Sequence, residues 1–230
     1  MQGRLGLAVR LQWYDSEDLP RSPAALERIT RSDAILVPGG FGSRGVEGKM
    51  LAIEAARRHQ IPFLGVCYGF QMAAVEFARH ELGLPDAHTT EVEPHTRDPV
   101  VSLLEEQQGV QSLGGTMRLG ALRVMLDPGS RIAELYGRTE IYERHRHRYE
   151  IHPDYLERFA ARGLRATGRG VDGRVEVFEL DDHPFFFGVQ YHPEFLSRPE
   201  APHPLYLGLI QAARIRQEGP AAVAPAAARA

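Results

Sequence analysis

Three short apolar runs, residues 34–37, 61–66 and 185–191, set the frame of this 230-residue chain. Each is too short for a buried helix and is bounded by turn-forming residues, so each reads as a strand covered on both faces. Between the first two, Val46, Met50 and Ile53 fall at helical spacing, and residues 71–79 read as a buried helix. Strand, helix, strand, helix in this rhythm predicts an α/β fold with a parallel sheet and helices on its faces. Such a sheet gathers chemistry at its carboxyl edge. Here the three runs end in Pro38-Gly39-Gly40, in Cys67 and in His192.

The remaining chain is less regular. Leu7, Val9, Leu11 and Trp13 alternate as a half-buried strand would, and residues 24–29 form a short helix. Residues 86–111 read mostly as loop, with an apolar stretch at 100–104. A β-rich region follows, with strands at 117–125, 140–142 and 174–180 and a helix at 153–161. His203-Pro204 opens a last helix to about residue 217. From Gly219 the Ala/Pro-rich tail lacks apolar periodicity and is expected to be disordered. This predicts one domain over residues 1–218 and a tail over 219–230, with no internal repeat.

Composition excludes several classes. A net charge of −3 gives no electrostatic case for nucleic acid or an anionic membrane. No apolar run reaches the ~18 residues of a membrane helix, and the N-terminus lacks a secretory pattern; a cytoplasmic setting is expected. The single cysteine rules out an internal disulfide and leaves one thiol to explain.

That thiol sits in Gly65-Val66-Cys67-Tyr68-Gly69, between a strand and a helix. This is a nucleophile elbow with Cys in place of Ser. Its flanking glycines allow a tight turn, and the helix N-terminus favours a thiolate. Taken alone, a buried structural cysteine is the commoner explanation. His192 and Glu194 change the balance: two residues apart on an extended strand end, they supply a base and its orienting carboxylate. Pro38-Gly39-Gly40-Phe41-Gly42 brings backbone N–H groups that, with Tyr68 N–H, can form an oxyanion hole. Gly40-Phe41-Gly42-Ser43-Arg44-Gly45 fits the dinucleotide pattern but lacks the acidic residue after the next strand, and Gly48-Lys49 lacks the other P-loop residues. The run Arg144-His145-Arg146-His147-Arg148-Tyr149-Glu150 admits a metal site, a phosphate patch or a solvated edge, and composition does not choose among them.

These motifs together resemble the glutaminase domain of CTP synthase, a class I glutamine amidotransferase of the triad type. The resemblance runs from about Asp15 to Gln217. It is carried by the glycine loop with Arg44-Gly45-Val46-Glu47-Gly48, the Cys67 elbow, Gly114-Gly115-Thr116-Met117-Arg118-Leu119-Gly120, the Arg/His run, and residues 190–195 with Ser197-Arg198-Pro199. It implies a three-layer, flavodoxin-like fold with a central, mostly parallel sheet. It implies hydrolysis of L-glutamine to glutamate and ammonia through a cysteinyl thioester, with Cys67 as nucleophile, His192 as base and acid, and Glu194 orienting it. Gly40 and Tyr68 would hold the oxyanion; Gly39, Gly40, Tyr68, Gln71, Glu91, Arg148 and Tyr149 would bind substrate, with no metal. Ammonia would pass to a ligase domain that aminates UTP to CTP, or to another synthase. ATP, Mg and GTP belong to that complete enzyme, and no cofactor is expected in this chain.

Three departures stand beside the resemblance. The ligase domain is absent. The family's opening strand and helix, which precede the segment matching residues 9–18, are also absent, as in a fragment or a mis-started reading frame. Tyr68 and Phe70 replace the family's usual Leu and Leu or Met. A slack regulatory module, or a hydrolase of another γ-glutamyl amide, is the alternative.

Overall fold

Strands that are apolar on both sides need a helical layer on each face, and residues 6–103 and 117–219, which the computed structural model describes, supply two such layers. The first half alternates α1 (Pro23–Thr30), β1 (Ile35–Val37), α2 (Val46–Arg58), β2 (Phe63–Val66) and α3 (Tyr68–Glu81). Two short strands follow, β3 (Ala87–Thr89) and β4 (Asp98–Ser102). The second half contains β5 (Arg118–Leu126), α4 (Arg131–Tyr136), β6 (Glu140–His147), β7 (Glu150–Ile151), α5 (Leu156–Ala160), β8 (Leu164–Gly170), β9 (Val175–Leu180), β10 (Phe186–Val189) and α6 (Pro204–Glu218). Gly114, Gly115 and Thr116, the end of the expected 86–111 loop, and the tail beyond Gly219 lie outside the described residues.

The main sheet has the order β1-β2-β10-β9-β8-β5-β6, and β3-β4-β7 form a small second sheet. Alternating side chains on the central strands feed opposite cores. Phe63 and Phe186 join Phe70, Phe77 and Phe159 on one side. Leu64 and Phe187 join Ile132 of α4 and Leu205 and Leu209 of α6 on the other. Arg57 of α2 reaches the fully buried Glu76 of α3 at 2.7 Å and also pairs with Glu81, tying the two helices together.

The α/β, three-layer class of fold is the expected one, but the sheet is mixed rather than mostly parallel. β1, β2 and β10 run parallel, whereas β10–β9, β9–β8, β8–β5 and β5–β6 are all antiparallel. A connection as short as that between Gly170 and Val175 cannot make the crossover that parallel neighbours require. The parallel part is nevertheless the part that carries the site.

The alternation at residues 7–13 produces no strand. Only a single bridge forms, at Ala8, and Leu11 and Trp13 are 71% and 87% exposed. β1 stands at the edge of the sheet with Leu36 43% exposed.

Candidate active site

Parallel pairing puts the carboxyl ends of β1, β2 and β10 side by side, with Val37 opposite Gly65 and Val66 opposite Val189. The three segments that leave those ends carry Gly39-Gly40, Cys67, and Gln190 to Glu194.

Cys67 is held at φ 51° and ψ −101°, a conformation costly for an L residue and characteristic of functional turns. Its N–H donates to Val189 O at 2.7 Å and its C=O accepts from Gln71 N–H at 3.1 Å, so strand and helix together impose the strain. The flanking glycines are needed for close approach, not for positive φ. A Cβ on Gly65 would stand 2.7 Å from Gly69 O, and one on Gly69 would be driven into the Val37 carbonyl, 2.9 Å from its carbon. Burial pushes the Cys67 thiol up to about 12, against the N–H of Tyr68 and the amide of Gln190, which favour the thiolate. The carboxylates of Glu194 and Glu91 add to the rise. The resting group is therefore a thiol.

His192 leaves the sheet edge with its N–H on Arg144 O, 2.8 Å away, which anchors it to β6. Its Nδ1–H donates to Glu194 Oε1 at 2.6 Å, so Nε2 carries the lone pair, and Nε2 is buried without a hydrogen-bond partner. Burial is the largest single influence on the Glu194 carboxyl and acts to raise it, but the bond from His192, its own backbone N–H and the nearby His192 and His203 together hold it below its ordinary value. A Cβ on Gly39 would meet His192 Cε1 at 2.9 Å and Cys67 Cβ at 3.6 Å. Its absence lets Cys67 and His192 share one wall. Gly40 lies against the Tyr68 ring, where a Cβ would be 3.6 Å from Cδ1.

The residues expected to bind substrate converge on this edge. Glu91 Oε1 accepts from Gly42 N–H at 2.9 Å, and Tyr68 Oη donates to Gly42 O at 2.5 Å. Arg148 has a buried Nε with no hydrogen-bond partner. Gln71 is buried, and its amide nitrogen is engaged inside the protein by Tyr149 O at 2.9 Å and Gln190 Oε1 at 3.0 Å. Phe41, between Gly40 and Gly42, is 83% exposed.

The Arg/His run resolves by strand alternation. Arg144 and Arg146 face solvent, while Glu143, His145 and His147 face the core. His145 donates from Nδ1 to Glu143 O and meets Glu176 with Nε2, both at 2.9 Å. Among the described residues His145, His147 and Glu176 bring one ligand atom each within 4.8 Å of one another. Arg118 already lies 3.4 Å from both Glu176 and Glu150 and 2.9 Å from Asp172, so these acids have a cation of their own. Glu150 enters the sequence analysis only as the last residue of the Arg/His run, and Glu176 does not enter it at all.

Burial, with Glu176 beside it, pushes the Glu150 carboxyl up to about 8. A carboxyl raised in the folded state stabilises fully below its unfolded pKa and loses that contribution as pH rises through the folded value. Glu150→Gln is therefore expected to leave the thermal midpoint near pH 5 little changed and to raise it, relative to the unmutated protein, near pH 8. Parallel pH profiles for the two proteins would contradict this.

A thiol, an imidazole and a carboxylate gathered at the edge of an α/β sheet are the groups a cysteine hydrolase of the triad kind requires, and the chain is similar to proteins of that class. Residues 2–212 match the family model for glutamine amidotransferase class-I. The chain is 54% identical to CTP synthase of Methanopyrus kandleri over 211 residues, covering 91% of this chain and 39% of that protein. It is 51% identical to CTP synthase of Sulfurisphaera tokodaii over 203 residues, covering 88% and 38%. The solved glutaminase domain of Trypanosoma brucei CTP synthase, with bound acivicin, superposes with a TM-score of 0.88 at 36% identity, covering 93% of this chain and 83% of that one. The chain belongs to the class-I glutamine amidotransferase family, among the glutaminase domains of CTP synthases. It spans about two fifths of the length of the curated CTP synthases it matches.

Proposed function

We propose that this chain hydrolyses L-glutamine to glutamate and ammonia, and that the ammonia serves CTP synthesis from UTP by a ligase domain that these 230 residues do not include. The observation that carries the reading is the pairing of a strained, solitary thiol with a buried imidazole nitrogen that Glu194 frees to act as base. Glu91 takes the α-ammonium of glutamine and Arg148 its α-carboxylate, with Tyr149 and Gln71 closing the pocket. His192 Nε2 accepts the Cys67 proton as the sulfur attacks the side-chain amide carbon. The oxyanion forms against the N–H groups of Gly40 and Tyr68. His192 returns the proton to the amide nitrogen, the C–N bond breaks and ammonia leaves a glutamyl thioester. Water, deprotonated by His192, then displaces the sulfur and releases glutamate.

These steps use only side chains and backbone of this chain. ATP, Mg and GTP are assigned to the complete enzyme, and the setting is the cytoplasm; no described helix is long and apolar enough to cross a membrane. Residues 1–218 are assigned to the one catalytic domain. Acivicin, the ligand of the Trypanosoma brucei domain, is expected to add once to this protein, on Cys67, with glutamine protecting. Free γ-glutamyl conjugates are expected to protect less. Equal protection by conjugates and glutamine would overturn the choice of substrate, and no adduct would overturn the nucleophile.

A further inference from the structure

Gln190 follows β10 directly, is wholly buried, and has its backbone N–H fixed on Glu176 O at 2.9 Å. Its side-chain Nε2 lies 3.6 Å from Cys67 Sγ. A carboxamide can be turned either way, so the identity of the atom facing the sulfur has to be argued. The chain of bonds decides it. Tyr149 O is a backbone carbonyl and can only accept; the end of Gln71 that meets it at 2.9 Å is therefore the amide nitrogen. That same nitrogen meets Gln190 at 3.0 Å, so Gln190 presents its oxygen to Gln71 and its NH₂ to Cys67. The contact is thus an N–H donor aimed at sulfur. In the thiol state the S–H has its own acceptor direction, toward Arg146 O at 4.0 Å. A donor to sulfur gains most when the sulfur becomes anionic.

We propose that Gln190 is a further catalytic residue, whose side-chain N–H stabilises the Cys67 thiolate as His192 removes the proton, and that Gln71 is the positioning residue that keeps Gln190 turned toward the sulfur. The proposal rests on the reading of Cys67 as the nucleophile. It also gives the substrate-clamp loop a route to the nucleophile, since Tyr149 O holds Gln71, which holds Gln190. The second turn of α3 and the end of β10 thereby act on one atom.

Because Cys67 is the sole cysteine, alkylation by iodoacetamide reads its thiolate directly. At pH values well below the thiol pKa the rate follows the thiolate fraction. Gln190→Met, which keeps volume and removes the donor, is expected to slow alkylation by about 10- to 100-fold at every pH from about 7 to 9, the worth of one bond to a charged group. Gln190→Glu, which turns a carboxylate toward the sulfur, should slow it at least as much. Gln71→Met should fall between these and the unmutated protein. With glutamine as substrate, the loss in Gln190→Met is expected in kcat with KM little changed.

Alkylation of folded Gln190→Met at the unmutated rate would overturn the proposal. Should that variant not fold, the unmutated protein labelled with ¹⁵N-glutamine decides. The side-chain amide signal of Gln190 is expected to shift when Cys67 is alkylated, and an unmoved signal would overturn the assignment. The alkylation experiment contains no glutamine, so slowed alkylation in a protein inert toward glutamine would keep Gln190 and sink the glutaminase reading.

Discussion

Cys67→Ala is expected to release no ammonia from glutamine above background, a loss on the order of 10⁴-fold or more. Removing a nucleophile removes the covalent pathway altogether, and the oxyanion donors and clamp that remain can accelerate only the direct attack of water. The fold should barely register the change. Alanine must still adopt the φ of 51° that Cys67 adopts, so the backbone strain is kept, and only one buried sulfur is lost. The informative result is a thermal midpoint within a few degrees of the unmutated protein together with abolished turnover. Residual hydrolysis above about one per cent of the original rate would mean that another group attacks the amide and would overturn the Cys67 thioester route.

Gly69→Ala adds a single methyl group and is expected to cost about 3 kcal/mol, at the upper end of overpacking in a tight core. For a chain of this size that is a fall of about 6 to 12 °C in thermal midpoint. The reason is geometric. The added Cβ meets the Val37 carbonyl and lies 3.1 Å from Val37 Cγ1 on one side, while Gly65 is packed against the carbonyl of Gly69 on the other. The first turn of α3 is held between β1 and β2 and has no direction in which to give. Relief has to come from moving the helix start, and with it Cys67, so alkylation of the thiol should change as well. A variant with an unchanged midpoint would show that α3 can slide on the sheet, which the packing described here does not permit.

The site was more legible in the sequence than the sheet around it. Cys67, His192, Glu194, Gly39 and Gly40 each follow a parallel strand, and such strands are recognisable as compact apolar runs because both faces are covered. The antiparallel half lacks that signal. β8 reads Leu-Arg-Ala-Thr-Gly-Arg-Gly, with two glycines and no clean alternation. Its Gly168 is dictated by Val177 of the next strand, where a Cβ would fall 2.5 Å from Cγ2. No local pattern reports a neighbour that arrives from another strand. Helix α4, absent from the sequence-based expectations, is only six residues long, too short for a periodic apolar signal, and is bounded by the Ser130 cap and left-handed Gly137. Residues 7–13 failed in the opposite sense, with a clear strand pattern but only a single bridge at Ala8, because alternation states what a segment can bury and not whether anything is there to receive it. Gln190 stood beside the histidine motif in plain view. Its role was hidden because an amide has no chemistry of its own until its neighbours fix which end faces the sulfur.

Strand β6 carries a consequence for how this gene can change. Along its eight residues exposed and buried positions alternate without a break. Its Arg144 carbonyl anchors His192, and Arg148 and Tyr149 follow its far end. Substitutions at Arg144 or Arg146 touch solvent and should be freely accepted. An in-frame insertion or deletion of one codon anywhere between 140 and 147 would send the two histidines outward and the arginines inward while shifting the clamp. The segment should therefore drift in residue identity on its outer face but keep its length, and a population of random indel variants selected for activity should be empty across this stretch.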